Sequence, residues 1–340
     1  MPGLQTTATA LVALGKGILA ADESIATMSK RLEGVGVPAS SQSRRDYREL
    51  LLTTPALGDS ITGIILCDET LRQELADGTP FAAACLARGI QPGIKVDTGT
   101  TPLPFADGGL VTEGLDGLRG RLEEYRKLGA TFAKWRAVLS PLGLSRRTIH
   151  ANAHALARYA ALCQEAGIVP IVESEVLMDG RHGVAMCQAV SANALDAVFT
   201  ELDLMGVDLR GIVLKPNMVI SGTEHHEQST PDEVAHRTLK VLRAKVPPTV
   251  PGIAFLSGGQ SNERACANLA ALNLLAQGEG GAPWRLSYSF GRALVNDALG
   301  TWHGVPTNVP AAQEALSSNC ARAAAAASIP AMSDAQSVSI

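Results

Sequence analysis

The sequence lacks any block of like charges and any basic excess. Its 340 residues include 29 lysines and arginines and 33 aspartates and glutamates, for a formal net charge of -4. Proteins that bind nucleic acid or membrane surfaces usually cluster basic residues, so we expect neither partner here. At 46% hydrophobic and 18% charged, the composition predicts a globular protein with a large core and a small-molecule partner.

Cysteine is scarce and forms no recognisable pattern. The six cysteines include no C-x-x-C pair, in a chain too long to need disulfides, and this is typical of reduced, mostly buried thiols in a cytosolic protein. Residues 1–17 lack the basic start and long apolar core of a signal peptide. No run approaches the roughly 20 apolar residues of a membrane span. We therefore expect a cytoplasmic protein.

Short segments rich in β-branched residues and leucine alternate with longer helix-like stretches such as 114–130 and 145–167. Strand alternating with helix predicts parallel βαβ units, and eight of them match a single-domain (β/α)₈ barrel of the α/β class. A doubly wound open sheet is the alternative. The eight segments are 16–24, 61–69, 90–97, 131–139, 168–175, 211–217, 252–259 and 286–292.

Polar doublets at the ends of five segments favour the barrel. Their members are two residues apart and therefore point to the same face of a strand. Charges at the carboxyl ends of so many strands share one site only if the strands converge, as they do at the top of a barrel. The doublets are Asp22/Ser24, Lys95/Asp97, Lys134/Arg136, Glu173/Glu175 and Lys215/Asn217.

The last two segments end in the glycine-containing sequences SGGQS and SFGRA. Glycines let backbone N–H groups approach an anion closely, and the loops after strands 7 and 8 of a barrel commonly hold phosphate. Arginine suits bidentate contact with such a group. We therefore predict a phosphate site formed by Ser257, Gly258, Gly259, Ser289, Gly291 and Arg292.

Lys215 ends an apolar segment and is followed at once by Pro216. A lone lysine there would be explained by snorkelling or by a buried ion pair. Two further strand-end lysines, Lys95 and Lys134, favour a chemical explanation, because clustered positive charges in a dry pocket promote the neutral amine, a nucleophile toward carbonyls. Glu173 is suited to the proton transfers of a Schiff base.

Glu175 fits either that chemistry or a structural ion pair. At the strand ends, five cationic groups face four anionic ones, which favours an anionic, phosphorylated carbonyl substrate. Histidine is absent from the strand ends, and His225 and His226 lie in a polar loop. Because a catalytic metal needs several converging ligands, we predict no metal and no other cofactor.

Several motifs resemble the class I fructose-1,6-bisphosphate aldolases, in the same order along roughly nine-tenths of the chain: GKGILAADES, GIKVD, GLDGL, FAKWR, ARYA, AGIVPIVESE, VLKPNM, FLSGGQS and FGRAL. The resemblance implies a (β/α)₈ barrel and a homotetramer. It also implies reversible cleavage of fructose 1,6-bisphosphate to dihydroxyacetone phosphate and glyceraldehyde 3-phosphate through a lysine Schiff base.

The resemblance also implies roles for individual residues. Lys215 would form the Schiff base, Glu173 would be the general acid/base with Glu175 assisting, and Asp22 and Lys134 would assist proton transfer around the cleaved bond. Ser257, Gly258, Gly291 and Arg292 would bind the phosphate next to the ketone, with Ser289 beside them. The far phosphate would meet Lys95 and Ser24, in a cleft also lined by Thr27, Arg31 and Arg136.

The chain departs from the family pattern at three places. Ser174 stands where proline is common, and Thr27 stands where serine is usual, which keeps the hydroxyl. The sequence ends in SIPAMSDAQSVSI, without the terminal tyrosine of animal members. We expect residues 1–328 to form the barrel domain and residues 329–340 a flexible tail. Proton exchange on dihydroxyacetone phosphate is then expected to depend on a barrel residue or water.

Two alternatives remain open at this point. The first is an aldolase that prefers fructose 1-phosphate or sedoheptulose 1,7-bisphosphate, and the second is a non-catalytic scaffold. A lost lysine or glutamate would favour the scaffold, and the catalytic set is intact.

Overall fold

A computed structural model describes residues 3–141 and 145–328; the predicted tail of residues 329–340 lies outside them. In chain order, the strands are β1 Gly17–Ala21, β2 Ile61–Leu66, β3 Gln91–Lys95, β4 Gly99–Pro102, β5 Leu110–Glu113, β6 Phe132–Leu139, β7 Val169–Val176, β8 Val213–Pro216, β9 Gly252–Phe255 and β10 Arg285–Phe290. Eight of them close into a parallel barrel in the order β1-β10-β9-β8-β7-β6-β3-β2, which confirms the predicted fold. Each of the eight predicted segments overlaps one barrel strand, and β7 and β10 each extend one residue beyond their segment.

Helices follow the strands and surround the barrel. The predicted helix at 145–167 is present, and the Ser145 side chain caps it by accepting a hydrogen bond from the Thr148 amide. The helices are α1 Leu4–Leu11, α2 Ile25–Gly34, α3 Ser41–Leu52, α4 Asp68–Leu71, α5 Phe81–Leu86, α6 Leu118–Lys127, α7 Arg146–Glu165, α8 Val184–Leu204, α9 Pro231–Lys245, α10 Asn262–Gly278, α11 Arg292–Trp302 and α12 Val309–Ala327. Short 3₁₀ turns occupy Leu57–Asp59, Leu209–Gly211 and Pro306–Asn308.

The barrel interior is a small apolar cluster closed from below by α1. Inward-facing side chains of the strands, including Phe132, Ile171 and Val213, pack there with Leu11. A second, larger core lies between the strands and the helices. Because side chains alternate along a strand, the next inward positions after these three residues are Lys134, Glu173 and Lys215. The three polar side chains therefore point into the barrel, on the same face of each strand as the apolar cluster.

An antiparallel hairpin, β4 and β5, follows β3 and was not predicted from the sequence. Its strands are four residues each, and proline at 102 and 104 obscures the strand pattern. The Thr112 hydroxyl donates to the Arg136 carbonyl at 2.7 Å, and the Asn152 side chain accepts from the Thr112 amide at 3.2 Å. These bonds fix the hairpin beside the carboxyl end of β6.

All six cysteines are free thiols, five of them buried and Cys67 partly so, as predicted. Among residues 3–141 and 145–328, the helices are all too short or too polar to span a bilayer.

Candidate active site

A cavity of about 610 Å³ opens at the carboxyl ends of the barrel strands. It draws lining residues from seven of the eight strands or from the loops directly after them, because parallel strands in a closed barrel end at one rim. All of the residues predicted from the sequence to act on or bind substrate line it. They are Asp22, Ser24, Thr27, Arg31, Lys95, Lys134, Arg136, Glu173, Glu175, Lys215, Ser257, Gly258, Ser289, Gly291 and Arg292.

Two lysines share one carboxylate at the floor of the cavity. The Lys215 Nζ atom lies 3.1 Å from Glu173 Oε1, and the Lys134 Nζ atom lies 3.4 Å from Glu173 Oε2. Lys134 Nζ is also 2.7 Å from Asp22 Oδ2. The pairing follows from strand register, since Glu173 lies directly opposite Lys215 in the β7–β8 ladder. All of these charges except Asp22 are at least nine-tenths buried.

The ion pairs set the protonation states of this cluster. Burial acts to raise the pKa of Asp22, but the charges of Lys134 and Lys215 outweigh it and hold that pKa at about 2. Burial opposes ionisation of Glu173 as well, yet Lys215 and Lys134 lower its pKa. Desolvation works against the charged form of Lys134, but Asp22 and Glu173 raise its pKa. Lys134 therefore remains an ammonium near neutral pH and is a poor nucleophile.

One oxygen of Glu173 lacks a well-placed hydrogen-bond donor. Oε2 lies 3.4 Å from Lys134 Nζ but forms no hydrogen bond of normal geometry within the described part of the chain. Buried polar atoms of this kind occur where a side chain acts in catalysis or where water or an ion binds. The other oxygen, Oε1, faces the Lys215 amine. The geometry thus places a proton acceptor beside the buried amine.

Each of the three strand-end lysines is paired with a carboxylate. The sequence predicted a cluster of positive charges, but in the structure carboxylates lie between the lysines. The third pair joins Lys95 Nζ to Asp97 Oδ1 at 2.6 Å. The Asp97 carboxylate also accepts from the backbone amides of Gly99 and Arg136, each at 3.3 Å. Asp97 was given no role from the sequence; its position in the Lys95/Asp97 doublet was the available signal.

Glu175 forms an ion pair with Arg136 at the rim of the cavity. The ion-pair interpretation of Glu175 therefore has a partner in the structure, while an assisting catalytic role stays a prediction. Arg136 lies opposite Glu173 in the β6–β7 ladder, so its side chain starts on the cavity face.

The part of the cavity lined by the loops after β9 and β10 has the features of an anion site. Gly258 and Gly259 both have left-handed backbones, with φ of 54° and 72°, which glycine adopts without strain. Gly291 precedes α11, which begins at Arg292. The Ser289 hydroxyl is buried and has no hydrogen-bond partner among the described residues. Two glycine loops, an unpaired hydroxyl and the Arg292 side chain thus line the same space.

A second set of polar groups comes from the turn between β1 and α2. Ser24 caps α2, and its hydroxyl accepts from the Thr27 amide at 3.2 Å and donates to the Thr27 hydroxyl at 3.0 Å. Arg31, one turn further on, pairs with Glu23 and donates to Asn296 Oδ1 at 2.9 Å. Because β1 pairs with β10 in the barrel, this turn lies beside the loop that carries Gly291.

One predicted doublet is wrong. Asn217 does not share the cavity face with Lys215, because β8 ends at Pro216 and the chain turns there. The Asn217 side chain instead accepts from the Val176 amide at 2.9 Å and donates to Ser191 Oγ at 3.2 Å. It ties the end of β7 to α8 and has a structural role.

The two adjacent histidines lie in the loop between β8 and α9, away from the strand ends. His225 Nδ1 is 2.8 Å from the Glu227 carbonyl, and the His226 side chain is 81% exposed. Within the described residues, no group of three or more histidine, cysteine or carboxylate side chains is arranged to hold a metal.

Comparisons with known proteins agree with this geometry. The family model described as fructose-bisphosphate aldolase class-I matches residues 3–338. A probable fructose-bisphosphate aldolase class 1 from Xanthomonas campestris is 53% identical over 304 residues, covering 88% of this chain and 89% of that protein. The cytosolic fructose-bisphosphate aldolase 6 of Arabidopsis thaliana is 49% identical over 309 residues, covering 90% of this chain and 85% of the relative.

A solved structure is similar over nearly the whole chain. It is fructose-bisphosphate aldolase from Plasmodium falciparum in complex with TRAP and a small-molecule inhibitor, with a TM-score of 0.92 and 44% sequence identity. The match covers 96% of this chain and 94% of that one. The chain therefore belongs to the class I fructose-bisphosphate aldolase family.

Proposed function

We propose that this protein cleaves fructose 1,6-bisphosphate reversibly to dihydroxyacetone phosphate and glyceraldehyde 3-phosphate, through a Schiff base on Lys215. The observation that carries the proposal is the buried pair of Lys215 and Glu173, 3.1 Å apart, in a cavity that Lys95, Arg136 and Arg292 also line. Family membership gives the reaction class, and the cavity provides the groups that the reaction requires.

The reaction begins at the ketone carbon. The Lys215 amine adds to it, the carbinolamine hydroxyl takes a proton and leaves as water, and the iminium forms. Glu173 carries protons in this step, because one of its oxygens faces the amine and the other lies 3.4 Å from the Lys134 ammonium without a well-formed hydrogen bond. The iminium then accepts the electron pair of the breaking carbon-carbon bond as the departing aldehyde's hydroxyl gives up a proton.

The resulting enamine takes a proton at carbon, and water releases dihydroxyacetone phosphate. Asp22 and Lys134 lie at 2.7 Å from each other beside Glu173 and orient the substrate hydroxyls around the cleaved bond. Glu175 assists through the same proton network, held in place by Arg136.

The two phosphates occupy different groups of cavity residues. We assign the phosphate next to the ketone to Ser257, Gly258, Ser289, Gly291 and Arg292. The far phosphate meets Ser24, Thr27, Arg31 and Lys95, and Arg136 lines the same cavity. A sugar bisphosphate is the substrate that would engage both groups at once.

A coupled cleavage assay tests the activity. Fructose 1,6-bisphosphate, fructose 1-phosphate and sedoheptulose 1,7-bisphosphate are compared, each with and without EDTA. We expect fructose 1,6-bisphosphate to give the highest kcat/KM. EDTA should leave every rate unchanged, because the lysine iminium, and not a metal ion, accepts the electron pair of the breaking bond. A rate abolished by EDTA would refute the mechanism, and absence of cleavage would favour a scaffold.

Lys95→Ala is expected to weaken cleavage of fructose 1,6-bisphosphate about ten- to a hundredfold, and that of fructose 1-phosphate much less. Only the bisphosphate offers the distant charge, and a charge-assisted contact of this kind contributes roughly 1.5 to 3 kcal/mol. Steady-state kcat/KM on both sugars measures the difference. Arg292→Ala is the control and should impair both substrates. Equal losses for Lys95→Ala would place Lys95 at the reacting centre instead.

We propose a homotetramer on the basis of the family resemblance. From the sequence itself we propose a barrel domain of residues 1–328, a tail of residues 329–340 and a cytoplasmic location. Sedimentation equilibrium tests the assembly, with a mass of four chains expected.

A further inference from the structure

Arg48 is a buried arginine outside the cavity that none of the roles above involves. It lies on α3 and is 1% exposed. Its Nε donates to the Ala21 carbonyl at 3.1 Å. Its Nη2 donates to the Glu23 carboxylate at 3.0 Å, with the Glu23 carbonyl at 3.4 Å. One guanidinium therefore holds the backbone and a side chain of the turn that follows β1.

Stability alone is a poor explanation for this arginine. Burying a guanidinium removes it from water, and replacing a buried ion pair by apolar side chains is often neutral or stabilising. Arg48 Nη1 has no hydrogen-bond partner in the described portion of the chain, which adds to the cost. Glu23 would not be left alone without Arg48, because it also pairs with Arg31.

The turn that Arg48 holds carries groups from two parts of the proposed site. Asp22 lies between Ala21 and Glu23, the two residues that Arg48 contacts. Its carboxylate pairs with Lys134 at the proposed reacting centre. Ser24 follows directly and caps α2. Arg31 is tied to the same turn through Glu23. A shift of this turn would therefore move the far-phosphate groups together with Asp22.

We propose that Arg48 is a positioning residue that sets the β1–α2 turn for the far phosphate of a bisphosphate substrate. The proposal rests on the proposed function. Misplacement of a substrate-positioning group by about 1 Å costs on the order of a hundredfold in rate. Because the hydrogen bonds of Arg48 within the described residues go to Ala21 and Glu23 and not to the glycine loops assigned to the other phosphate, the loss should depend on which sugar is used.

The chain offers a matched control on the same helix. Arg44, one turn before Arg48, forms a bidentate pair with Glu69 at 2.7 and 2.6 Å and donates to Ser29 Oγ at 3.1 Å. Arg44 does not line the cavity, and its partners Glu69 and Ser29 lie outside residues 21–24, which Arg48 holds. Arg44→Met and Arg48→Met each replace a paired guanidinium of α3 by an unbranched apolar side chain.

The experiment compares kcat/KM on fructose 1,6-bisphosphate and fructose 1-phosphate for wild type and both variants, with thermal unfolding as the stability reference. For Arg48→Met we expect about a thirtyfold loss on the bisphosphate and a smaller loss on the monophosphate. The ratio of kcat/KM on fructose 1,6-bisphosphate to kcat/KM on fructose 1-phosphate should then fall about tenfold. Arg44→Met should keep the wild-type ratio, whatever its effect on the unfolding temperature.

An unchanged ratio in folded Arg48→Met would overturn the proposal, as would an equal fall in Arg44→Met. If Arg48→Met does not fold, Arg48→Lys carries the test, because an ammonium keeps the charge but loses the fork; its ratio should fall at least threefold. A wild-type protein that cleaves neither sugar would refute the proposed function itself. Borohydride trapping of dihydroxyacetone phosphate should be retained in every folded variant.

Discussion

Replacing Lys215 by methionine is expected to abolish turnover while leaving the barrel folded. We propose Lys215 as the nucleophile because its amine faces Glu173, whereas Lys134 is held as an ammonium by both Asp22 and Glu173. We expect a loss of at least about 10⁴-fold in kcat, equivalent to roughly 5 kcal/mol of barrier. Methionine is unbranched like the lysine stem, and Glu173 keeps Lys134 at 3.4 Å.

Chemical trapping identifies the nucleophile directly. Borohydride in the presence of dihydroxyacetone phosphate should reduce a covalent adduct on Lys215, located by peptide mass mapping. Lys95→Met is the matched control, because it removes a second lysine of the same cavity and should still be trapped on Lys215. An adduct on Lys95 or Lys134 would contradict the assignment.

Glu173→Gln is expected to lower kcat by about 10² to 10⁴-fold, the usual contribution of a positioned acid or base. The change keeps the size of the side chain but removes its charge and its ability to accept and return a proton. Because neighbouring lysines lower its pKa, Glu173 is ionised at neutral pH, and the variant loses a group that is present throughout that range. Lys134 keeps Asp22 at 2.7 Å, so the site should remain assembled.

Glu175→Gln is the control for this prediction. Both glutamates lie on β7 and face the cavity, but the carboxylate of Glu175 is paired with Arg136 at the rim. We expect a loss of less than tenfold for Glu175→Gln, measured as kcat on fructose 1,6-bisphosphate. A larger loss at Glu175 than at Glu173 would exchange the two roles.

Much of this arrangement was predictable from local sequence. The inward face of each strand is set by strict alternation, so the apolar residue Ile171 predicts that Glu173 points the same way. The anion site was likewise predicted from local sequence, because glycines and an arginine directly follow the last two strands. Where the chain leaves the strand, the rule fails: Asn217 lies one residue beyond β8 and turns to Ser191.

The sequence by itself determined the eight strands, their inward faces and therefore the residues that line the cavity, because each of these depends on neighbours a few positions away. Tertiary structure alone decided which charges pair, as with Lys215 and Glu173, which are brought opposite each other by the register of β7 and β8. It also placed Arg48, 27 residues from Ala21 in the chain, against the turn after β1. Such contacts depend on how strands and helices close around a common core, which no local period encodes.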